Sequence, residues 1–244
     1  MGEWFKDWFD SEDYLDVYRH RDDKDAEELV NLIIKHTGLK PGSFLLDAGC
    51  GAGRHSILFS ERGFNVTGFD LSTTLLNKAK EEAAKKNIGI NLLRADFRTI
   101  TFKKKFDAVL NLFTSFGYFE DDDDNFHFVK EAHSFLKENG LYVFDYMNIA
   151  HLKKNIVCQS EKNLSDKKVK EIRNISGGRV NKEIIITSDE CEVRYCESVK
   201  LYSKEVIENK FLSYGYRIKN LFGNYSGEEF DIENSPRLII IFSK

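Results

Sequence analysis

From residue 43 to residue 147, short apolar runs alternate with longer stretches whose apolar residues recur every three or four positions. The runs are SFLLDA at 43–48, FNVTGFD at 64–70, INLLRA at 90–95, FDAVLNLF at 106–113 and LYVFDYM at 141–147. Each is strand-sized, and near-continuous apolarity is what a strand covered on both faces requires. Between them the pattern predicts helices. One runs from about Arg54 to Arg62 and is stopped by Gly63. A second, STTLLNKAKEEAAKKN, is capped by Ser72. A third is opened by the acidic run DDDD at 121–124, whose charges suit a helix N-terminus; it turns Phe128, Ala132 and Phe135 inward and ends at Gly140. Ahead of the first strand, DAEELVNLIIKHTG places Leu29, Leu32, Ile33 and His36 at helical spacing, with Asp22 or Asp23 as cap and Gly38 and Pro41 as terminators. Residues 3–20 predict one or two short helices.

The pattern changes after residue 147. From about 155 to 202 the chain predicts strands without helices: KKVKEIRNI, a glycine pair at 177–178, RVNKEIIITS, an acidic turn at 189–190, then CEVRYCESVKLYS. Glycine-turned alternating strands predict an antiparallel meander. Ser203 then caps the helix SKEVIENKFLSYG, and strands YRIKNLFGNY and RLIIIFSK close the chain. The whole predicts an α/β fold: a doubly wound, mostly parallel, seven-stranded Rossmann-like sheet with a small antiparallel β insertion.

Composition narrows the function classes. The 244 residues suffice for one large domain or a domain with an inserted subdomain. A net charge of −4 argues against a nucleic-acid partner, although a local basic patch is compatible with it. The longest apolar runs, such as LIIIF at 238–242, are strand-sized, so no membrane segment is expected. The opening MGEWFKDWFDSEDY is acidic and aromatic, unlike a secretory signal. Cys50, Cys158, Cys191 and Cys196 form no Cys-x-x-Cys pair, and no histidine lies near the last two. That argues against zinc and for reduced thiols in a cytoplasmic protein. No metal is expected at the DDDD run either, since consecutive acids on a helix point in different directions.

Candidate chemistry begins at FLLDAGCGAGRHS, residues 44–56. A phosphate-gripping GxxxxGK[ST] loop is excluded, because no lysine follows. A dinucleotide GxGxxG loop would need its third glycine at position 54, where Arg54 stands; the third glycine is Gly53, giving GxGxG behind Asp47. Asp70 closes the second strand, where an acid accepts from the ribose hydroxyls of an adenosine. Asp96, in RADFR, closes the third, with Phe97 beside it. The fourth strand runs into an aromatic loop, TSFGYF, rather than directly into a helix.

Asp47, GxGxG, Asp70, Asp96 and FDAVLNLF, in this order, resemble a class I S-adenosylmethionine-dependent methyltransferase. The resemblance extends from about residue 14 to the last residue and includes LKENGLYVFDY and the final strand pair. It implies S-adenosylmethionine as cofactor and S-adenosylhomocysteine as product. It implies that Gly49 and Gly51 admit the ligand close to the backbone, and that Arg54 opens a helix facing the ligand carboxylate. Asp47 would face the ammonium, Asp70 and Leu71 the ribose, and Asp96 and Phe97 the adenine. Asn111, Leu112 and Phe113 would line the methionine arm, and Tyr18 would touch the cofactor from the N-terminal helices.

The resemblance also implies a division of the chain. Residues 1–150 and 203–244 would form the cofactor domain, with lid helices at about 1–37, and 151–202 an antiparallel subdomain covering the active site. Such an insertion resembles the lid of small-molecule enzymes, and NLFT at 111–114 is unlike the NPPY tetrapeptide of DNA and many protein-amide methyltransferases. The expectation is therefore methyl transfer to N or O of a small-molecule acceptor by a monomer or homodimer. The alternatives are an RNA or protein methyltransferase and a non-catalytic S-adenosylmethionine-binding protein, with a NAD-dependent reductase further off. Tyr118, Tyr146 and His151 are the candidates for a catalytic group near the methyl.

Overall fold

The computed structural model describes residues 3–19, 23–164, 166–188 and 191–244. Asp22, one of the two expected caps, and the acidic turn at 189–190 lie outside the described residues. Two short helices, α1 (Trp4–Phe9) and α2 (Glu12–Val17), precede α3 (Asp23–Thr37). An alternating series follows: β1 (Phe44–Ala48), α4 (Arg54–Glu61), β2 (Asn65–Asp70), α5 (Thr73–Lys85), β3 (Asn91–Arg94), β4 (Phe106–Asn111), α6 (Asp122–Phe135) and β5 (Leu136–Met147). Then come α7 (Ile149–Asn155), β6 (Gln159–Leu164), β7 (Lys167–Ser176), β8 (Arg179–Thr187) and β9 (Glu192–Lys200). The chain ends with α8 (Lys204–Ser213), β10 (Arg217–Phe222) and β11 (Arg237–Ser243).

The first sheet has seven strands in the order β10-β11-β5-β4-β1-β2-β3. All its pairings from β3 to β5 are parallel, and β11 runs antiparallel to both of its neighbours. Burial is near-continuous along the central strands, whose successive side chains go to two covered faces. Leu45 packs with Leu29, Ile33 and Phe59 from α3 and α4. Leu46 packs on the other face with Phe128, Phe135 and Phe211 from α6 and α8. Helices on both faces make the sheet doubly wound, as the alternation predicts.

Capping explains the helix starts. Ser72 accepts the N–H of Leu75 and Ser203 that of Val206, both at expected caps. Asp121 accepts the N–H of Asp123, so the acidic run does open α6. One boundary differs from expectation. α6 ends at Phe135, not Gly140, because Leu136 turns extended and pairs with Phe106. Residues 137–140 bulge out before Leu141 pairs with Ala108. Asn139 takes a left-handed φ of 62° there, and a Cβ on Gly140 would lie 2.9 Å from the Lys137 carbonyl.

Strands β6 to β9 form a second, four-stranded antiparallel sheet. A helical segment, α7, intervenes before it; Asn148 caps this helix by accepting from Ala150, a cap not singled out by hydrophobic pattern alone. The second sheet packs Val169, Ile184 and Ile186 against Trp8 and Val17 of the N-terminal helices. It is tied to the loop after β4 at Lys200, whose N–H donates to the Gly117 carbonyl at 2.7 Å.

Candidate active site

From β1 the chain moves outward through β2 to β3, then returns to begin β4 and moves the other way through β5. Connections diverging from neighbouring strands leave a crevice at their carboxyl ends, which is where open α/β sheets bind ligands. A cavity of about 1230 Å³ lies at that place.

One half of its wall is built from the ends of β1, β2 and β3. Gly49, Gly51 and Gly53 all have left-handed φ, at 70°, 53° and 78°. A Cβ on Gly49 would lie 2.8 Å from the Ser115 Cβ, and one on Gly53 2.9 Å from the Ala79 Cβ. The displaced third glycine thus has a local cause. Gly53 is the left-handed N-cap of α4 pressed against α5, and Arg54 becomes the first helical residue.

Three carboxylates stand along this half. Asp47 is 2% exposed and accepts from the Ser56 hydroxyl at 2.5 Å. Burial pushes its carboxyl up to about 6, only partly opposed by that hydrogen bond. Asp70 accepts the N–H groups of Gly51 and Ser72, each at 2.9 Å. Burial still leaves its carboxyl above the ordinary value. Asp96 is held by Arg98, whose Nε and Nη2 donate at 3.0 and 2.6 Å. Burial pushes the Asp96 carboxyl up, but Arg98 outweighs it and holds the group below its ordinary value. Phe97 stands edge-on to Phe69 and Phe128, with centroids 5.0 and 5.1 Å away. His55, also on the wall, is driven down to about 3 by burial and by Arg54, so it is neutral.

The other half is built from the ends of β4 and β5, the start of β11, and the second sheet. Phe113 and Thr114 both have left-handed φ, 53° and 67°. Non-glycine residues in that region cost about 1–3 kcal/mol each and persist only where surroundings hold them. Asp145 holds both: its carboxylate accepts the Phe113 N–H at 2.9 Å and its carbonyl the Thr114 N–H at 3.1 Å. Arg237 donates from Nε to Asp145 at 2.9 Å and from Nη2 to the Thr114 hydroxyl at 3.1 Å.

The roof comes from the N-terminal helices and the second sheet. Tyr118 packs against Trp4 and Phe9, with centroids 5.4 and 5.5 Å away. The Tyr18 hydroxyl donates to Glu197 at 2.5 Å, and Lys182 pairs with Glu197 at 2.8 Å. Buried Arg179 gathers the carbonyls of Gly117, Tyr118 and Phe119 at 3.3, 3.1 and 3.2 Å, fixing the aromatic loop.

Most residues expected from the sequence border the cavity: Tyr18, Asp47, Gly49, Gly51, Arg54, Asp70, Leu71, Asp96, Phe97, Leu112, Phe113 and Tyr118. Three do not, and their placement corrects the expectation. Asn111 lies beneath the aromatic loop, with its amide nitrogen donating to the Ser115 carbonyl at 3.1 Å and its Oδ1 lacking a partner. Tyr146 is fully buried on the α6 face of the sheet, where its hydroxyl donates to the Lys200 carbonyl. His151 sits on α7 with Nδ1 3.2 Å from the Asn234 carbonyl, away from the cavity. Neither Tyr146 nor His151 borders the cavity. Asp145, Arg237, Lys182 and Glu197 were missed. Their sequence signal was a charged residue inside or beside an apolar strand, as in VFDYM and RLIIIF.

Residues 45–140 match the model of a family described as methyltransferase domain. This match carries the glycine loop, Asp70 and Asp96, and it sits on the fold that places them around one cavity. Over residues 45–140 the chain is thus similar to methyltransferase domains, and its fold is that of class I S-adenosylmethionine-dependent methyltransferases. It is 30% identical over 150 residues to a glycine/sarcosine N-methyltransferase of Aphanothece halophytica, covering 61% of this chain and 55% of that protein. The chain spans about half the length of the first curated relatives it matches. Among solved structures, it is similar to an S-adenosylmethionine-dependent methyltransferase from Clostridium acetobutylicum, with a TM-score of 0.81 and 19% identity over 94% of this chain and 95% of that one. It is also similar to an S-adenosylmethionine-bound amino pentose methyltransferase from Micromonospora echinaspora, with a TM-score of 0.70 and 19% identity over 96% and 97% of the two chains.

The fold family implies S-adenosylmethionine, and the residues present fit it. Gly51 borders the cavity with a left-handed φ of 53°, and a Cβ there would meet only Leu75 at 3.9 Å, so its backbone stays open to a ligand arm. Asp47 is a buried acid without a cation beside it among the described residues, suited to an ammonium. Asp70 uses one hydrogen bond on each oxygen, leaving acceptor capacity for a pair of hydroxyls.

Proposed function

We propose that this chain transfers a methyl group from S-adenosylmethionine to nitrogen or oxygen of a small-molecule acceptor, leaving S-adenosylhomocysteine. The observation that carries this reading is the roof. Trp4, Phe9, Tyr18, Lys182 and Glu197 border the cavity on the side facing the glycine loop, where they would confine a small acceptor. On this reading, residues 151–202 and the N-terminal helices act as one lid over the domain formed by 1–150 and 203–244. The names of the similar proteins, a glycine/sarcosine N-methyltransferase and an amino pentose methyltransferase, support a small acceptor.

Bound S-adenosylmethionine supplies an activated sulfonium methyl, so the protein's work is alignment and exclusion of water. Asp70 would hold the ribose hydroxyls, Asp47 the ammonium, Asp96 and Phe97 the adenine, and Arg54 with the α4 N-terminus the carboxylate. Leu112 and Phe113 would set the methyl against the acceptor, with Tyr118 on the opposite wall. Glu197 borders the acceptor half; Lys182 and two hydrogen bonds outweigh its burial and keep it below the ordinary carboxyl value, hence ionised.

A screen of metabolites with methyl-labelled donor tests the reading. Label should appear in at least one small acceptor. Label transferred only to RNA or protein substrates would overturn the small-acceptor reading, and no transfer with tight donor binding would indicate a non-catalytic binder.

A further inference from the structure

Charges of both signs line the cavity. The ends of β1, β2 and β3 present Asp47, Asp70 and Asp96. The start of β11 presents Arg237, and the covering sheet adds Arg173 and Lys182. The acids suit a ligand that carries a sulfonium and an ammonium. The cations have no such use, since the same ligand's carboxylate falls beside Arg54 in the reading above.

Arg237 is the best placed of them. It pairs with Asp145, but the pair is oriented: the arginine side chain keeps 20% exposure and the aspartate 0%. The cation is therefore what the pair turns toward the cavity. Nε and Nη2 are occupied by Asp145 and Thr114, and Nη1 donates to none of the described residues. The guanidinium lies 5.7 Å from the Phe113 ring centroid and 5.9 Å from that of Tyr225. Aromatic neighbours and an acid behind it restrict the fork, so a ligand would meet donors already in place. Arg173 and Lys182 are themselves paired, with Glu171 and Glu197. Directed N–H donors, rather than a net positive field, would thus do the recognition.

Position supports the same role. Arg237 pairs with Met147 across β11 and β5, at the carboxyl end of β5. It also holds the strained Phe113–Thr114 turn, the segment that would touch the methyl. An anion seated on Arg237 would place its acceptor atom on the β4 side of the cavity, across from the three acids.

We infer that Arg237 anchors an anionic group of the methyl acceptor, which is therefore a small amine or hydroxyl compound bearing a carboxylate or phosphate. This rests on the methyltransferase reading and deepens it.

The test uses the full chain with labelled donor and matched acceptors. Amino acids and hydroxy acids are compared with their carboxamides, and O-phosphoethanolamine with ethanolamine. The anionic member of the best pair should have a kcat/KM at least about tenfold higher, the scale of one charge-assisted hydrogen bond. Preference for carboxylates or for the phosphate ester tells which anion the site takes. Arg237→Gln should erase the preference by raising the KM of the anionic member more than that of its neutral partner, and Arg237→Lys should keep part of it. The wild-type comparison stands alone if Arg237→Gln fails to fold. A best acceptor without an anionic group, no turnover of any anionic compound, or equal loss for acid and amide in the variant would each overturn the inference. S-adenosylhomocysteine binding measured on the same samples separates the failures: binding without anion preference sinks this inference alone, whereas no binding sinks the methyltransferase reading.

Discussion

The two halves of the cavity are built by different means. The half at β1, β2 and β3 comes from one contiguous stretch, residues 44–98, and its acids are held by neighbours close in the chain: Asp70 by the N–H groups of Gly51 and Ser72, Asp47 by Ser56 and Asp96 by Arg98. The half at β4, β5 and β11 is assembled from segments far apart in the chain. Phe113 depends on Asp145, Asp145 on Arg237 and Tyr225, and Tyr18 on Glu197. The first half is a local solution for a constant ligand. The second is a network of side chains, which can change with the acceptor while the sheet stays the same.

That contrast can be broken or sharpened by substitution. The largest effect is expected at the network's center. Asp145→Ala leaves Arg237 half-buried without its acid and frees the strained Phe113–Thr114 turn, so unfolding free energy should fall by about 3–5 kcal/mol. Denaturant titration checks this, and a loss below about 1 kcal/mol would show that the turn is held by something else.

Asp47 should behave in the opposite way. Its folded carboxyl lies near 6 against an ordinary value of 3.8. The folded state therefore binds more protons than the unfolded chain between those values, and stability falls as pH rises through that window. At pH 7 the penalty is on the order of 3 kcal/mol. Asp47→Asn should raise the melting temperature of the ligand-free protein at pH 7, show little gain below pH 4, and weaken S-adenosylmethionine binding. Equal melting curves for wild type and variant at pH 7 would show that Asp47 is not under strain.

Asp70→Ala should weaken cofactor binding by roughly 1–3 kcal/mol, the scale of charge-assisted hydrogen bonds. If the halves are separable, the acceptor KM at saturating donor should stay unchanged. The smallest effect is expected at the roof. Tyr18→Phe removes the hydroxyl that donates to Glu197 and accepts from Lys182, and about 1 kcal/mol of lid stability with it. Faster amide exchange in residues 4–17 would register the loss, and unchanged exchange would show that packing of Trp8 and Tyr14 suffices.

The same contrast explains what was legible in the sequence. The order of strands and helices, the glycine turn and Asp70 were readable because period, capping and positive φ are local properties. The boundary at Phe135 was not, because pairing of Leu136 with Phe106 overrode the helical pattern. Tyr146 was named for its chemistry, but strand alternation faces it to the core, and His151 was displaced by a helix that only Asn148 announces. Asn111 was placed at the right strand end but under the loop that follows it. Arg237 and Asp145 are 92 residues apart, and nothing local marks them as partners.

The central claim is that Asp47, Asp70 and the glycine turn form an S-adenosylmethionine site. Isothermal titration of S-adenosylhomocysteine and of NAD into the same protein at pH 7 tests it most directly. The account predicts one-to-one binding of S-adenosylhomocysteine that Asp70→Ala weakens, with no heat from NAD. Tighter binding of NAD, or S-adenosylhomocysteine binding indifferent to Asp70→Ala, would contradict it.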